Sequence, residues 1–187
     1  DWSKLDGIVL MNHGIFTFSD EANDSYDRMI ELVSEAEGTL KERPRVVSVN
    51  MKVPLLQLTE LRSAVSRAAG KAMLASFNGS ASHFEFASRL DIDSIACRGP
   101  LTPDHVIRTK RLPMIVKDTY GNPVDSYVHD YKAYFEKFDD GDLTQLDPSP
   151  RWAVWRDRGT VTFGSTERDA TIVADIVAHT IRAIEDA

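Results

Sequence analysis

One local pattern occurs near both ends of the chain and constrains its fold more than any other feature. Each copy predicts a short apolar strand, a tight turn, a return strand and an amphipathic helix. The turn and return strand match at an offset of 145 residues, which pairs Gly14 with Gly159, Thr17 with Thr162 and Phe18 with Phe163. We therefore predict an α/β protein, a layered sheet with flanking helices that contains two strand–turn–strand–helix copies.

The helices of the two copies match best at an offset of 144 residues, so a one-residue deletion at the helix cap would reconcile them with the hairpins. The paired apolar positions are Tyr26 with Ala170, Met29 with Val173, Ile30 with Ala174 and Val33 with Val177. The alternative is that both segments are ordinary hairpin–helix units with common spacing. In the turn, His13 corresponds to Arg158, so the second copy cannot do what His13 does.

Apolar periodicity and turn residues predict the remaining elements. The first copy comprises strands over 7–11 and 15–18 and a helix that ends near Pro44, with Leu40 on its apolar face. The second comprises strands over 152–155 and 160–163 and a helix over 166–187. Between them we predict, in order, a helix after Pro54 that ends near Gly70, a strand over 72–77, a short helix over 82–89, a helix capped by Thr102, a strand over 112–117 and a helix over 124–138.

Composition excludes several classes of partner. The 187 residues carry a net charge of −7, and the longest basic run is Lys110-Arg111, so we expect no nucleic-acid partner. No apolar run approaches the roughly 20 residues of a membrane span, and residues 1–4 do not resemble a signal peptide. A single cysteine, Cys97, suits a reducing compartment and hence the cytoplasm. The lack of an initiator Met before the first strand suggests a fragment of a longer protein.

His13 is the strongest candidate for a site residue among the five histidines. It follows a buried-type strand directly, where a rigid sheet would fix the direction of its imidazole, and Gly14 leaves space beside the ring. A zinc site needs three or four convergent ligands, and the chain contains no His-x-His or His-Glu-x-x-His motif. Residue spacing therefore leaves His13 as one candidate ligand or as an ordinary surface histidine.

A second candidate is the polar cluster that begins at Thr102. A cap at a helix start, with basic side chains about one turn later, can hold an anion such as a sugar phosphate. The candidate anion-binding residues are Thr102, His105, Arg108 and Lys110. The alternative is a capped helix with solvated basic side chains. Cys97 and the aromatic groups are predicted to pack in the core or at an interface, namely Tyr127, Tyr131, Tyr134, Phe135, Trp152 and Trp155.

The first copy also resembles a known family. The run Gly7-Ile-Val-Leu-Met-Asn-His-Gly-Ile-Phe-Thr-Phe-Ser, followed by its helix, is similar to the closing part of a class II aldolase/adducin domain. In that family a strand ending in Asn-His-Gly supplies the last of three zinc-binding histidines. The resemblance implies that His13 is a zinc ligand and that residues 1–43 close an aldolase-like domain.

Longer runs resemble a narrower group, the bifunctional rhamnulose-1-phosphate aldolase/alcohol dehydrogenase type. Two further segments are similar to the middle of those proteins, Gly99-Pro-Leu-Thr-Pro-Asp-His-Val-Ile-Arg-Thr-Lys-Arg-Leu-Pro and Asp147-Pro-Ser-Pro-Arg. The resemblance implies that residues 44–187 are a second aldolase-like unit or linker that precedes a short-chain dehydrogenase domain. It also implies a sugar-phosphate substrate, a homo-oligomer, and NAD bound in the missing dehydrogenase domain.

The activity that this resemblance implies belongs to the longer protein. That protein would cleave a ketose 1-phosphate by zinc-assisted retro-aldol chemistry and oxidise the aldehyde product. The family's His-x-His zinc ligands would lie upstream of this chain, and the Gly-rich nucleotide loop and Tyr-x-x-x-Lys pair downstream, so we expect this chain alone to be inactive. The alternative is a non-catalytic structural or oligomerisation module that links two enzyme domains.

Overall fold

The computed structural model describes residues 5–11, 13–40, 51–117 and 122–186. In chain order the strands are β1 (Gly7–Leu10), β2 (Gly14–Thr17), β3 (Leu74–Asn78), β4 (Met114–Val116), β5 (Trp152–Trp155) and β6 (Gly159–Gly164). The helices are α1 (Ala22–Thr39), α2 (Leu55–Ala69), α3 (Ala81–Ala87), α4 (Ile92–Ile95), α5 (Val106–Thr109), α6 (Pro123–Phe138) and α7 (Glu167–Asp186), and a 3₁₀ turn (Pro103–His105) leads into α5. Within the described ranges no helix combines the length and apolarity needed to cross a membrane.

A four-stranded mixed sheet organises residues 74–164, in the order β3-β6-β5-β4. The central pair is the antiparallel hairpin β5–β6, in which every strand residue is buried. Strand β3 pairs antiparallel with β6, and β4 pairs parallel with β5. The parallel pairing is possible because α6 and the loop after it carry the chain back across the sheet.

Successive side chains of the hairpin strands point to opposite faces of this sheet and pack in two apolar cores, one on each face. Ala153 and Trp155 point into the core that α2 and α6 cover, with Leu61, Val65, Met73, Met114, Val116, Val124, Val161 and Phe163. Trp152 and Val154 point into the core that α3, α4 and α7 cover, with Phe86, Ala87, Ile92, Ala96, Val173, Val177 and Ile181. The predicted α/β class is confirmed, as is the burial of both tryptophans.

The N-terminal hairpin is a separate two-stranded antiparallel sheet against which α1 packs. Its register reproduces that of β5–β6 at the predicted offset, since Gly7 pairs with Thr17 as Trp152 pairs with Thr162. The turns agree too, because the amides of His13 and Arg158 donate to the carbonyls of Leu10 and Trp155 at 3.1 and 3.0 Å. The predicted repeat of strand, turn, strand and helix is confirmed.

The predicted offset of 144 for the helices is wrong, and no deletion occurs at the cap. Helices α1 and α7 begin at Ala22 and Glu167, which gives the hairpin offset of 145. A threonine of the return strand fixes this alignment in both copies. Thr17 Oγ1 donates to the carbonyl of Ser25 at 2.7 Å, and Thr162 Oγ1 donates to that of Ala170 at 3.4 Å.

The inward face of α1 therefore differs from the predicted apolar stripe. Its half-buried residues are Ser25, Arg28, Met29 and Leu32, and Arg28 donates to the Phe18 carbonyl at 3.1 Å. Of the predicted stripe only Met29 is half-buried, while Tyr26, Ile30, Val33 and Leu40 are exposed. Leu40 follows the last residue of α1, and the predicted helix end near Pro44 lies outside the described residues.

The helix predicted to start at Thr102 is present as two short segments. Thr102 occupies the cap position, but its side chain makes no capping hydrogen bond. The three-residue 3₁₀ turn and the four-residue α5 follow, and the helix ends at Lys110. The other predicted elements are present, with bounds that shift by a few residues.

Candidate functional site

His13 lies on the exposed turn of the first hairpin. Its imidazole stacks on the ring of Phe16, with centroids 5.7 Å apart and planes at 25°. Within the described ranges, no group of three or more His, Cys, Asp or Glu side chains could hold a metal ion. The described residues thus do not form a complete zinc site, and the role of His13 as a single ligand stays a prediction.

Arg158 occupies the equivalent turn of the second copy, where the surroundings are closed. Its guanidinium lies 5.6 Å from the centroid of the Trp155 ring, and the amide of its neighbour Asp157 donates to the Ala87 carbonyl at 3.2 Å. A Cβ on Gly159 would lie 2.2 Å from the Asn78 carbonyl oxygen, whereas one on Gly14 would meet nothing within 4 Å. The same turn is thus packed against β3 and α3 in one copy and open in the other.

Lys110 combines an unusual backbone conformation with a buried side-chain charge. Its backbone has φ +60° and ψ −178°, a combination that side-chain-bearing residues adopt only under strain. The side chain turns inward, where Nζ donates to the carbonyl of Asp147 and lies 3.9 Å from the centre of the Tyr131 ring. Burial, reinforced by the charge of Arg151, lowers the pKa of Lys110 to about 8.

Asp147 and Arg151 form the other half of this arrangement. Arg151 donates to both carboxylate oxygens of Asp147, at 3.0 and 2.5 Å, and Ser149 Oγ donates to one of them at 2.5 Å. Burial alone would raise the pKa of Asp147, but these hydrogen bonds and the charges of Arg151 and Lys110 hold it well below its usual value. Such a bidentate pair gives the loop before β5 a fixed shape.

The structure therefore joins two motifs, residues 99–113 and 147–151, which are the two segments that carry the narrower resemblance. Lys110 belongs to the first motif, Asp147 and Arg151 to the second, and the Lys110–Asp147 contact connects them. The next residue, Arg111, turns outward and places its guanidinium 4.6 Å from the centre of the Tyr134 ring. Two consecutive basic residues thus make cation–π contacts with two tyrosines on the same face of α6, Lys110 with Tyr131 and Arg111 with Tyr134.

A cavity of about 630 Å³ lies between β4 and α6, beside these tyrosines. Buried Pro113 and Met114 and half-buried Tyr127 form part of its wall, and the Tyr127 hydroxyl donates to the Leu112 carbonyl at 3.1 Å. Burial raises the pKa of Tyr127, so this hydroxyl remains protonated. The other lining residues are Cys97, Arg111, Leu112, Ile115, Lys117, Asn122, Pro123, Ser126, Asp130, Tyr131 and Tyr134.

The four residues of the predicted anion site have different surroundings. Arg108 is exposed and pairs with Asp169 at 3.7 Å, whereas Lys110 is buried against Asp147 and Tyr131. Thr102 is half-buried, and Nδ1 of His105 is a buried atom without a hydrogen-bond partner. A shared anion site at these four residues stays a prediction, and the two basic side chains have separate partners.

Sequence reasoning missed a buried histidine next to the second turn. His83 Nδ1 lies 2.7 Å from Thr160 Oγ1, and burial lowers the pKa of His83 to about 4. The ring is therefore neutral at physiological pH and contributes to packing between α3 and β6. The sequence signal was a difference between the two copies at one repeat position, where the second copy has Thr160 and the first has Ile15. Only Thr160 offers a hydroxyl that can form a hydrogen bond with a histidine.

Comparison with known proteins places this architecture in a family. The family model described as aldolase class II, second domain, matches residues 54–187, which include β3 to β6 and α2 to α7. The chain belongs to this family. The second domain so defined contains the four-stranded sheet, the Lys110–Asp147 contact and the cavity, whereas β1, β2 and α1 precede it.

Individual relatives are more distant than the family match. The uncharacterized oxidoreductase YuxG of Bacillus subtilis is 23% identical over 185 residues, covering 85% of this chain and 26% of YuxG. The YgbL structures from Klebsiella pneumoniae and Escherichia coli share 22% and 19% identity, cover 68% of this chain and 55% of theirs, and each give a TM-score of 0.44. The chain thus spans about a quarter of YuxG and about half of YgbL.

Proposed function

We propose that this chain is the junction of two aldolase-like units in a protein that cleaves a ketose 1-phosphate by retro-aldol chemistry. Residues 1–43 close the unit that binds the metal, and residues 44–187 form a metal-free second unit that supports it. The observation that carries the proposal is the pair of matched turns, which bear His13 in one copy and Arg158 in the other. An arginine side chain stays protonated in proteins and has no lone pair for zinc.

The surroundings of the two turns support this division. His13 stands on an open turn, where its imidazole can meet ligands from another part of a longer protein. Arg158 stands on a turn packed against α3 and β3, where the neighbouring glycine contacts the Asn78 backbone. His13 would supply one ligand, and the others must come from beyond the described residues.

A further part of the proposal is an NAD-dependent dehydrogenase domain that oxidises the aldehyde product. The support is the name of YuxG, an oxidoreductase of which this chain matches 26%. The matched segment is a class II aldolase second domain, so the redox chemistry would belong to another part of the protein.

The test compares His13→Ala with Arg158→Ala in the full-length protein. Aldehyde release from rhamnulose 1-phosphate and protein-bound zinc are measured, with circular dichroism as the folding control. His13→Ala should lower the rate of aldehyde release and the affinity for zinc by at least about 100-fold. Loss of a metal ligand costs more than loss of a residue that hydrogen-bonds to a ligand. Arg158→Ala should leave both unchanged. Full cleavage activity in folded His13→Ala would refute the metal assignment.

The competing function is a structural or oligomerisation module without catalysis. It is favoured by the apolar side chains that the first copy exposes, Val9, Leu10, Met11 and Phe16 on the hairpin and Tyr26 and Ile30 on α1. Under this alternative His13→Ala is silent, while Phe16→Asp and Ile30→Asp lower the molar mass of a homo-oligomer in light-scattering chromatography. Under the catalytic proposal His13→Ala abolishes cleavage whether or not the mass changes.

A further inference from the structure

The geometry points to a small-molecule site in the cavity between β4 and α6. We infer that it binds a hydroxylated organic anion with one negative group, such as a polyol phosphate, and that Arg111 holds the anionic group. The site is lined by residues of β4, α6 and the segments next to them, and it does not depend on His13 or on the proposed aldol cleavage.

The shape and lining of the cavity suit a ligand of this size. Its volume of about 630 Å³ falls in the range of small-molecule sites, which combine an apolar floor with a few polar groups. Pro113 and Met114 are buried and form an apolar floor, whereas Arg111, Lys117 and Asp130 are exposed at the rim. A ligand could thus bury an apolar face and keep its charged group near the opening.

Arg111 is the basic residue of the lining that is available for an anion. Its guanidinium carbon lies 4.6 Å from the centre of the Tyr134 ring, and a guanidinium can make a bidentate contact with an oxyanion. Among the described residues no carboxylate forms an ion pair with it. Lys117, by contrast, is paired with Asp93 at 2.7 Å.

The strained backbone at Lys110 is a second, independent observation. Residues are held in such conformations only where their surroundings determine them, and such sites cluster around ligands. Here the Asp147 carbonyl and the Tyr131 ring hold Lys110 inward. The chain turns sharply at Lys110, so that Arg111 lies over Tyr134, on the same face of α6 and at the cavity.

The other polar groups of the lining suit hydroxyls rather than a second charge. Ser126 and Asp130 are four residues apart on α6, so they share one face of the helix and both line the cavity. The Asp130 carboxylate accepts hydrogen bonds from hydroxyl groups and repels a second anionic group.

The single cysteine of the chain provides a reporter for this site. Cys97 lines the cavity, and burial raises the pKa of its thiol, so alkylation by iodoacetamide at pH 8.5 is slow and measurable by peptide mass spectrometry. The probes are ribitol phosphate, ribitol and inorganic phosphate at equal concentrations. Saturation-transfer NMR on the same samples detects binding that leaves Cys97 accessible.

We expect ribitol phosphate to slow the alkylation of Cys97 and to give a saturation-transfer signal, and ribitol and phosphate to do so much more weakly. Arg111→Ala should raise the apparent Kd for ribitol phosphate about 10- to 100-fold, since a charge-assisted contact is lost. Arg182→Ala removes an exposed arginine of α7 and should leave the Kd unchanged. Circular dichroism confirms that both variants fold.

Each other outcome overturns part or all of the inference. Equal protection by ribitol would refute the anionic group, and equal protection by inorganic phosphate would refute the hydroxylated body. Unchanged affinity in Arg111→Ala would refute the role of Arg111. The absence of both protection and a saturation-transfer signal for all three probes would refute the site.

Discussion

The two copies of the strand–turn–strand–helix unit share their hydrogen-bonded frame and differ in burial. Val9 and Val154 occupy the same position of the repeat, yet the first is 67% exposed and the second fully buried. Phe16 and Val161 are likewise 45% exposed and fully buried. Backbone pairing and the threonine bond therefore specify the unit, while the neighbouring elements decide whether it forms a core.

The difference in burial separates two uses of one unit. In the second copy β3 and β4 pair with the outer edges of the hairpin and helices cover both faces of the sheet, so its residues serve stability. In the first copy α1 has no buried residue, and the turn presents His13 to solvent. We call the first copy (β1, β2 and α1) the open copy and the second copy (β5, β6 and α7) the closed copy. The open copy suits a residue that must contact another part of a longer protein, and the closed copy suits a residue that stabilises the domain.

The turn glycines give the largest expected contrast. Gly159→Ala should cost about 3–5 kcal/mol, because it adds a collision with the Asn78 carbonyl oxygen to the strain of φ +145°. Gly14→Ala has the same backbone strain at φ +150° but open space, so about 1–2 kcal/mol is expected. Urea unfolding followed by circular dichroism measures both, and equal losses would break the comparison.

How much of this contrast could be predicted depends on the kind of contact. The matching glycines and threonines revealed the repeat, because a positive φ and a return strand have clear residue signatures. The helix offset failed because the apolar stripe of Tyr26, Ile30 and Val33 faces solvent, and a hydroxyl–carbonyl bond sets the rotation of α1 instead.

The candidate site was harder to predict than the repeat. Both basic residues were noticed, but Lys110 reaches a backbone carbonyl 37 positions away, which no pattern of side chains signals. Its positive φ was equally hidden, since lysine is not a residue type that favours turns. The tyrosines were predicted to pack, and two of them do so against Lys110 and Arg111.

A pH titration sharpens the comparison at Thr160, whose counterpart Ile15 cannot bond a histidine. His83 is neutral in the fold, with its pKa lowered to about 4, while the unfolded chain binds a proton near pH 6.5. The free energy of unfolding therefore has its full value above pH 6.5. It falls by about 3 kcal/mol as the pH drops to 4, because the unfolded chain binds a proton at His83 that the folded chain does not.

The histidine variants show whether this loss belongs to His83. His83→Gln should flatten the decline in unfolding free energy between pH 6.5 and 4. His179 is exposed, so His179→Gln should retain the decline of the unmodified chain. An unchanged slope in His83→Gln would show that other groups cause the pH dependence.

The matched valines give the smallest contrast. Val154→Ala should cost about 1.5–3 kcal/mol through lost burial and a residual cavity, whereas Val9→Ala should change stability by less than about 0.5 kcal/mol. The two substitutions remove the same atoms from the same repeat position, so the difference isolates the surroundings. Similar values would mean that the first hairpin is covered as well as the second.

Amide hydrogen exchange of the unmodified 187-residue chain tests the central claim most directly, because it reports both hairpins in one sample. We expect protection factors in β6 that exceed those in β2 by at least about 100-fold, and slower exchange of the Arg158 amide than of the His13 amide. Equal protection of the two hairpins would contradict the assignment of an open copy and a closed copy.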